Sequence, residues 1–250
     1  NPSTGSSAEP NIGEALNAAA GTVANRNQVT TEEGEKALKE DGISVTEETV
    51  TIVVQPYLEI SVTGASNQQG SKSVTLEITP MYKTIATTNK DNIDLTGENT
   101  KNAVQIGEPK PLTITKPVTV TIPLPENLFT GQNIYVKHSK NGHFVAYHEA
   151  TIENNVLTFL NDKGFSTFEI TEDNRSATVK FGSDEQVYTP VNVGDALPTA
   201  TAPSGQRFAG WTFAGIQGTY TTLTDDLLNE LAKLGGTIVA TASFVDAPSG

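Results

Sequence analysis

The sequence predicts a mainly β fold, an antiparallel β-sandwich followed by a smaller sheet that carries one helix. Three observations lead there. Threonine and valine are abundant, and both favour a pleated, half-buried surface. Short runs of alternating apolar and polar residues recur about ten residues apart with turn residues between them, the spacing of an antiparallel sandwich. One segment, "TLTDDLLNELAKLGG" at 222–236, carries a convincing helical stripe. A chain of 250 residues accommodates two cores at roughly 100–200 residues each. The expected division is a linker with a short helical lead-in at 1–42, a sandwich at 43–172, a second module at 176–244 and linker again at 245–250.

Taken in order, "NPSTGSSAEP" is rich in Ser, Pro and Gly and reads as linker. "IGEALNAAAG" suits a short helix ending at Gly21. "TTEEGEKALKEDG" offers Thr30 as N-cap, Glu33 three residues on and Gly42 as the stop, with Gly34 a weak point in the helix. In "VTEETVTIVVQPYLEISVTG", Pro56 marks an edge strand or a kinked one. Alternation then runs through Val74, Leu76 and Ile78, and through Leu112, Ile114, Val118, Val120 and Ile122. "NIYVKHSKNGHFVAYHEA" turns at Asn141-Gly142, a two-residue hairpin signal, and "TIENNVLTFL" and "FSTFEIT" supply two further strands. After "EDNRS" a new start is visible: "ATVKFG", "QVYTPVNVG", "RFAGWTFAG" and "TIVATASF" are short strands. The helix before the last of them has Thr224 as cap, Asp225 and Asp226 at its positive end, a stripe of Leu227, Leu228, Leu231 and Leu234, and Gly235-Gly236 as its end.

Composition narrows the function classes. A net charge of −13 without a basic cluster makes nucleic acid and anionic membrane poor partners. No stretch approaches the roughly 20 apolar residues of a membrane span. With no cysteine, disulfides, thiolate metal sites and cysteine nucleophiles do not arise. Absence of cysteine fits the cytosol and also Gram-positive secretion. The Thr-rich β composition favours the second, an extracellular or cell-surface location.

Catalytic motifs are missing: there is no Gly-x-Ser-x-Gly and no His-Glu-x-x-His, and the expectation is a protein that is not an enzyme and uses no cofactor. "GASNQQGSKS" departs from a phosphate-binding loop because Ser71 separates the glycine from Lys72 and a strand follows. Asp91, Asp94 and Glu98 lack calcium-loop spacing. Of the three histidines, unbroken alternation from an Asn141-Gly142 turn puts His138, His143 and Tyr147 on one face and His148 on the other. That arrangement is a weak zinc site, so no metal is expected, but the first three form a candidate ligand patch. Trp211, the only tryptophan, is either core of a small module or a sugar platform flanked by Tyr188 and Tyr220.

Residues 176–244 resemble the internalin-type B-repeat, also called the Listeria–Bacteroides repeat. The likeness runs through Val179, Phe181, Tyr188, Gly194, Leu197-Pro198, Pro203, Gly205, Phe208, Gly210 and Trp211. The chain departs from that pattern with Phe244 where the family closes on a tryptophan, and with a longer, more helical segment at 221–236. The resemblance implies a β-grasp-like module in a multimodular surface protein with adhesion or scaffold duties. The expectation is a monomeric binding or adhesion module within a longer chain, its ligand a polysaccharide or a host or cell-surface protein, with a plain spacer as the rival reading.

Overall fold

The computed structural model describes residues 16, 19–20, 29–45, 49–68, 71–88 and 102–249. The stretch holding Asp91, Asp94 and Glu98, and the opening "NPSTGSSAEP", lie outside them.

The chain is mainly β. Its larger sheet is built from β1 (Thr51–Gln68), β2 (Ser71–Thr87), β3 (Ala103–Pro111), β4 (Val118–Pro123), β5 (Ile134–Lys140), β6 (His143–Glu153), β7 (Val156–Asn161) and β8 (Thr167–Glu172). The order is β1-β2-β8-β5-β6-β7-β4, with β3 also on β2, and every pairing is antiparallel. One apolar cluster joins Leu58 and Ile60 of β1 to Val118, Val120 and Ile122 of β4. Strands at opposite ends of the sheet share a core only if the sheet curls onto itself, so the closed sandwich follows from the register and the alternation together. Val118, Val120 and Ile122 point inward while Thr119 and Pro123 are exposed.

Pro56 falls on β1, which pairs only with β2. An edge strand is where a residue without an N–H is tolerated.

Helix α1 (Thr31–Glu40) starts as its sequence expects, with the Thr30 hydroxyl accepting from Glu33 N and the Glu33 carboxylate accepting from Thr30 N at 2.7 Å. Those bonds hold the Glu33 carboxyl below its usual range. Gly34 has a use that propensity alone hides. A Cβ there would sit 2.5 Å from Ile52 Cδ1, so the missing side chain lets α1 lie close on β1. Leu16, Ala19 and Ala20 are helical and buried, and the Thr115 hydroxyl donates to Ala19 O at 2.6 Å.

The second sheet comprises β9 (Ala177–Phe181), β10 (Asp184–Tyr188), β11 (Gln206–Phe213), β12 (Ile216–Tyr220) and β13 (Thr237–Asp246), in the order β10-β9-β13-β11-β12. Its first and last strands, β9 and β13, run parallel at the centre, and each outer pair is antiparallel. Helix α2 (Asp225–Leu234) buries Leu227, Leu228 and Leu231 against this sheet, with Thr224 Oγ1 accepting from Leu227 N at 3.0 Å. Leu234 is half exposed. It occupies the last turn, just before Gly235 takes a left-handed φ of 67° and leads the chain away, so the buried stripe is one residue shorter than the sequence suggests. No helix among the described residues is long and apolar enough to cross a membrane.

Candidate functional site

Trp211 lies in the core of the second sheet. It is 5% exposed, its Nε1–H donates to Pro198 O at 2.6 Å, and Phe181 and Phe208 meet it edge-on at 4.9 and 5.5 Å between centroids. Tyr188 is buried against Phe181. A sugar stacks on an open ring face, and neither ring has one, so the sugar platform expected of Trp211 and Tyr188 is corrected to core. The physical reason is size: a small module has few residues with which to build a core and spends its largest aromatics there. Tyr220 is half-buried beside Gly218, its hydroxyl donating to Gln217 O at 2.6 Å. Gly210 permits this arrangement. Its φ is 141°, and a Cβ there would come 2.8 Å from Tyr220 O, closer than backbone allows.

The histidine hairpin turns at Asn141-Gly142, with both residues at positive φ and Lys140 opposite His143. Between His138 and Ser139 the register then shifts, so that His138 pairs with Ala146 and Ser139 with Phe144. The bulge inverts the expected parity. His148 joins His138 on the core face, with ring centroids 6.3 Å apart, while Tyr147 turns to the opposite face of the sheet. The patch of His138, His143 and Tyr147 is therefore not assembled: His138 and Tyr147 are buried on opposite faces, and His143 stands exposed at the hairpin tip. Alternation arguments fail across a bulge because one extra residue flips every side chain beyond it.

Tyr147 instead belongs to a joint between the two sheets. Tyr135 and Tyr147, on the back of the sandwich sheet, share an apolar cluster with Val193, Leu197, Trp211 and Leu227 of the second unit. At its edge the Tyr147 hydroxyl donates to Asp225 Oδ1 at 3.1 Å and accepts from Arg175 Nη2 at 3.3 Å. Burial, aided by Asp225, pushes the phenol up to about 12, so it stays protonated. Arg175 completes the joint with a bidentate contact to Asp173, Nη2 to Oδ2 at 2.7 Å and Nε to Oδ1 at 3.0 Å, and an ion pair from Nη1 to Asp225 Oδ1 at 2.8 Å. Burial of the guanidinium opposes its charge, but the hydrogen bonds and charges of the two aspartates outweigh it and hold its pKa above the ordinary arginine value.

The connection itself is pinned. Asp173 N donates to Asn133 O at 2.8 Å and Asn133 Nδ2 to Asn174 Oδ1 at 2.6 Å. Sequence reading passed over Arg175 and Tyr135. The signals were the unbroken apolar run Ile134-Tyr135-Val136, which leaves no polar outer face, and an arginine in a chain with only Arg26, Arg175 and Arg207.

Ser166 Oγ lies 2.8 Å from His138 Nε2, the spacing of a nucleophile and its base. The hydroxyl proton, however, is committed to Ser139 O at 2.7 Å, and His138 Nδ1 has no partner to orient the ring. The pair thus lacks both the proton path and the third group that activation needs. No cluster of three or more His, Asp or Glu suited to a metal occurs among the described residues. Comparison with protein-family models, curated proteins and solved structures finds no match to this chain.

Proposed function

We propose that this chain is a non-catalytic structural module of a bacterial surface or secreted protein, a stiff spacer made of a sandwich and a B-repeat-like unit held in fixed relation. The observation that carries this reading is the Arg175 joint, in which a four-residue connection between β8 and β9 is tied at both ends and capped by a shared apolar cluster. Relative motion of two domains is the default unless their interface is substantial and apolar. A module that transmits position rather than binding a ligand gains from such a joint.

Three further points support it. Val179, Phe181, Tyr188, Leu197 and Trp211, which carry the B-repeat likeness, are all buried, as residues kept for packing are. A cysteine-free chain keeps its fold without an oxidising step, which suits export from a Gram-positive cell. The acidic surface keeps neighbouring modules apart through repulsion. Titration with α- and β-glucan oligosaccharides, read by intrinsic fluorescence and calorimetry, tests the reading. No saturable response is expected, and a saturable one would restore a polysaccharide-binding module.

A further inference from the structure

We propose that His138 and His148 form a two-coordinate site for a soft monovalent cation of the copper(I) type, held between β5 and β6 inside the sandwich. The spacer reading makes no use of these residues, and the site stands independently of it.

Each ring has one nitrogen anchored and one free. Ser166 gives its only hydroxyl hydrogen to Ser139 O, so at the 2.8 Å contact His138 Nε2 must be the donor and Nδ1 carries a lone pair. The His148 ring hydrogen-bonds the Leu160 carbonyl, and its Nε2 has no partner. Both free nitrogens are buried in side chains only 1% and 8% exposed. Unpartnered buried acceptors are uncommon in folded proteins. Ligating histidines characteristically donate the other ring N–H to a carbonyl or similar acceptor, which fixes tautomer and direction. Both rings here are fixed in that way.

Strand order sets the directions. In β8-β5-β6-β7, His138 on β5 is anchored on the β8 side by Ser166, and His148 on β6 is anchored on the β7 side by Leu160. The two nitrogens of an imidazole diverge widely, so anchoring one outward on each ring turns the free pair toward each other across β5 and β6.

The spacing selects the occupant. With metal–nitrogen bonds of about 2.0 Å, two imidazoles in line through one ion place their centroids roughly 6.4 Å apart. The observed separation is 6.3 Å. A direct N–H···N bond of about 3 Å would bring them to roughly 5.3 Å. Two neutral nitrogens among Phe159, Phe165 and Phe168 do not complete the four ligands of zinc or the oxygen shell of a hard cation. A soft ion content with two ligands fits them. Asp162, whose charge acts on His148, supplies a nearby counter-charge, and a depression of about 110 Å³ bordered by Asn161, Asp162 and Phe165 gives an approach from solvent.

Silver(I), an air-stable ion of the same coordination preference, is the probe. The chain has no cysteine and one methionine, so a Met81→Leu variant of the full chain removes the competing thioether. Native mass spectrometry of that variant should show one silver per chain at micromolar concentration, and ¹⁵N spectra should show shifts at His138 Nδ1 and His148 Nε2 with His143 unmoved. Ser166→Ala, which frees the anchor, should weaken binding about 10-fold. Absence of a one-to-one complex, shifts confined to His143, or a water retained between the rings in the presence of silver would overturn the proposal. The ring signals are read in a natively folded chain, so a misfolded histidine variant cannot obscure the result.

Discussion

Arg175 Nη1 lies 2.8 Å from Asp225 Oδ1, joining the connection between the sheets to the first turn of α2. Asp225 is already favoured there by the helix dipole, and the same guanidinium grips Asp173. The joint is a network rather than a lone surface pair, and networks with bidentate geometry are the ion pairs that contribute measurably. Arg175→Ala should destabilise the chain by about 2 kcal/mol, as loss of hydrogen bonds to charged partners does. It should also separate one urea transition into two. Arg175→Lys should recover little, since an ammonium cannot reproduce the fork on Asp173.

Tyr147→Phe keeps the buried ring and removes only the hydroxyl between Arg175 and Asp225. The expected loss is about 1 kcal/mol. Phenolate absorbance in alkaline titration should assign to Tyr147 a group titrating near 12, later than an ordinary tyrosine. That late component should vanish in the variant.

Trp211 should emit in the blue and resist iodide, because its ring is enclosed by Phe181 and Phe208. Trp211→Ala should cost about 3–5 kcal/mol, the usual range for deleting a buried aromatic. Gly210→Ala should be severe for a different reason, since its Cβ would meet Tyr220 O at 2.8 Å in a left-handed backbone. A red-shifted, readily quenched wild-type tryptophan would contradict the enclosed ring.

Acid should destabilise the sandwich through the histidine pair. Burial, with smaller contributions from His148 and Lys140, lowers His138 to about 4. His148 is lowered chiefly by burial, partly offset by Asp162 and reinforced by Lys163. Unfolded histidine titrates near 6.5, so as pH falls below that value the unfolded chain takes up protons before the folded one. The stability is complete above about pH 6.5 and declines as pH falls toward 4, by up to about 3 kcal/mol for His138 alone. Urea midpoints across that window should fall in the wild type and flatten in His138→Phe, whose ring can keep the stack on Phe168, at 4.3 Å in the native protein.

The β class, the Thr30 and Thr224 caps, the Asn141-Gly142 turn and the strand alternation through Val118, Val120 and Ile122 were legible because each depends on residues within a few positions. What escaped depends on events the local pattern does not encode. One bulge after His138 exchanged the faces of Tyr147 and His148, separating the expected ligand patch and creating a buried pair. Whether Trp211 is core or platform turns on what lies opposite it, Phe181 from β9 and Pro198 from a loop, and spacing within its own strand carries no such information. Likewise Gly34, a helix-weakening residue by propensity, is a contact residue once β1 is beside it.

The central claim is that both sheets move as one body through the Tyr147–Arg175–Asp225 joint. Backbone ¹⁵N relaxation on the intact chain measures this most directly. The account predicts a single rotational correlation time shared by Val136 and Ile170 in one core and Val179 and Ile238 in the other, splitting into two in Arg175→Ala. Two distinct times in the wild-type chain would show units that tumble separately, and the spacer reading would fail.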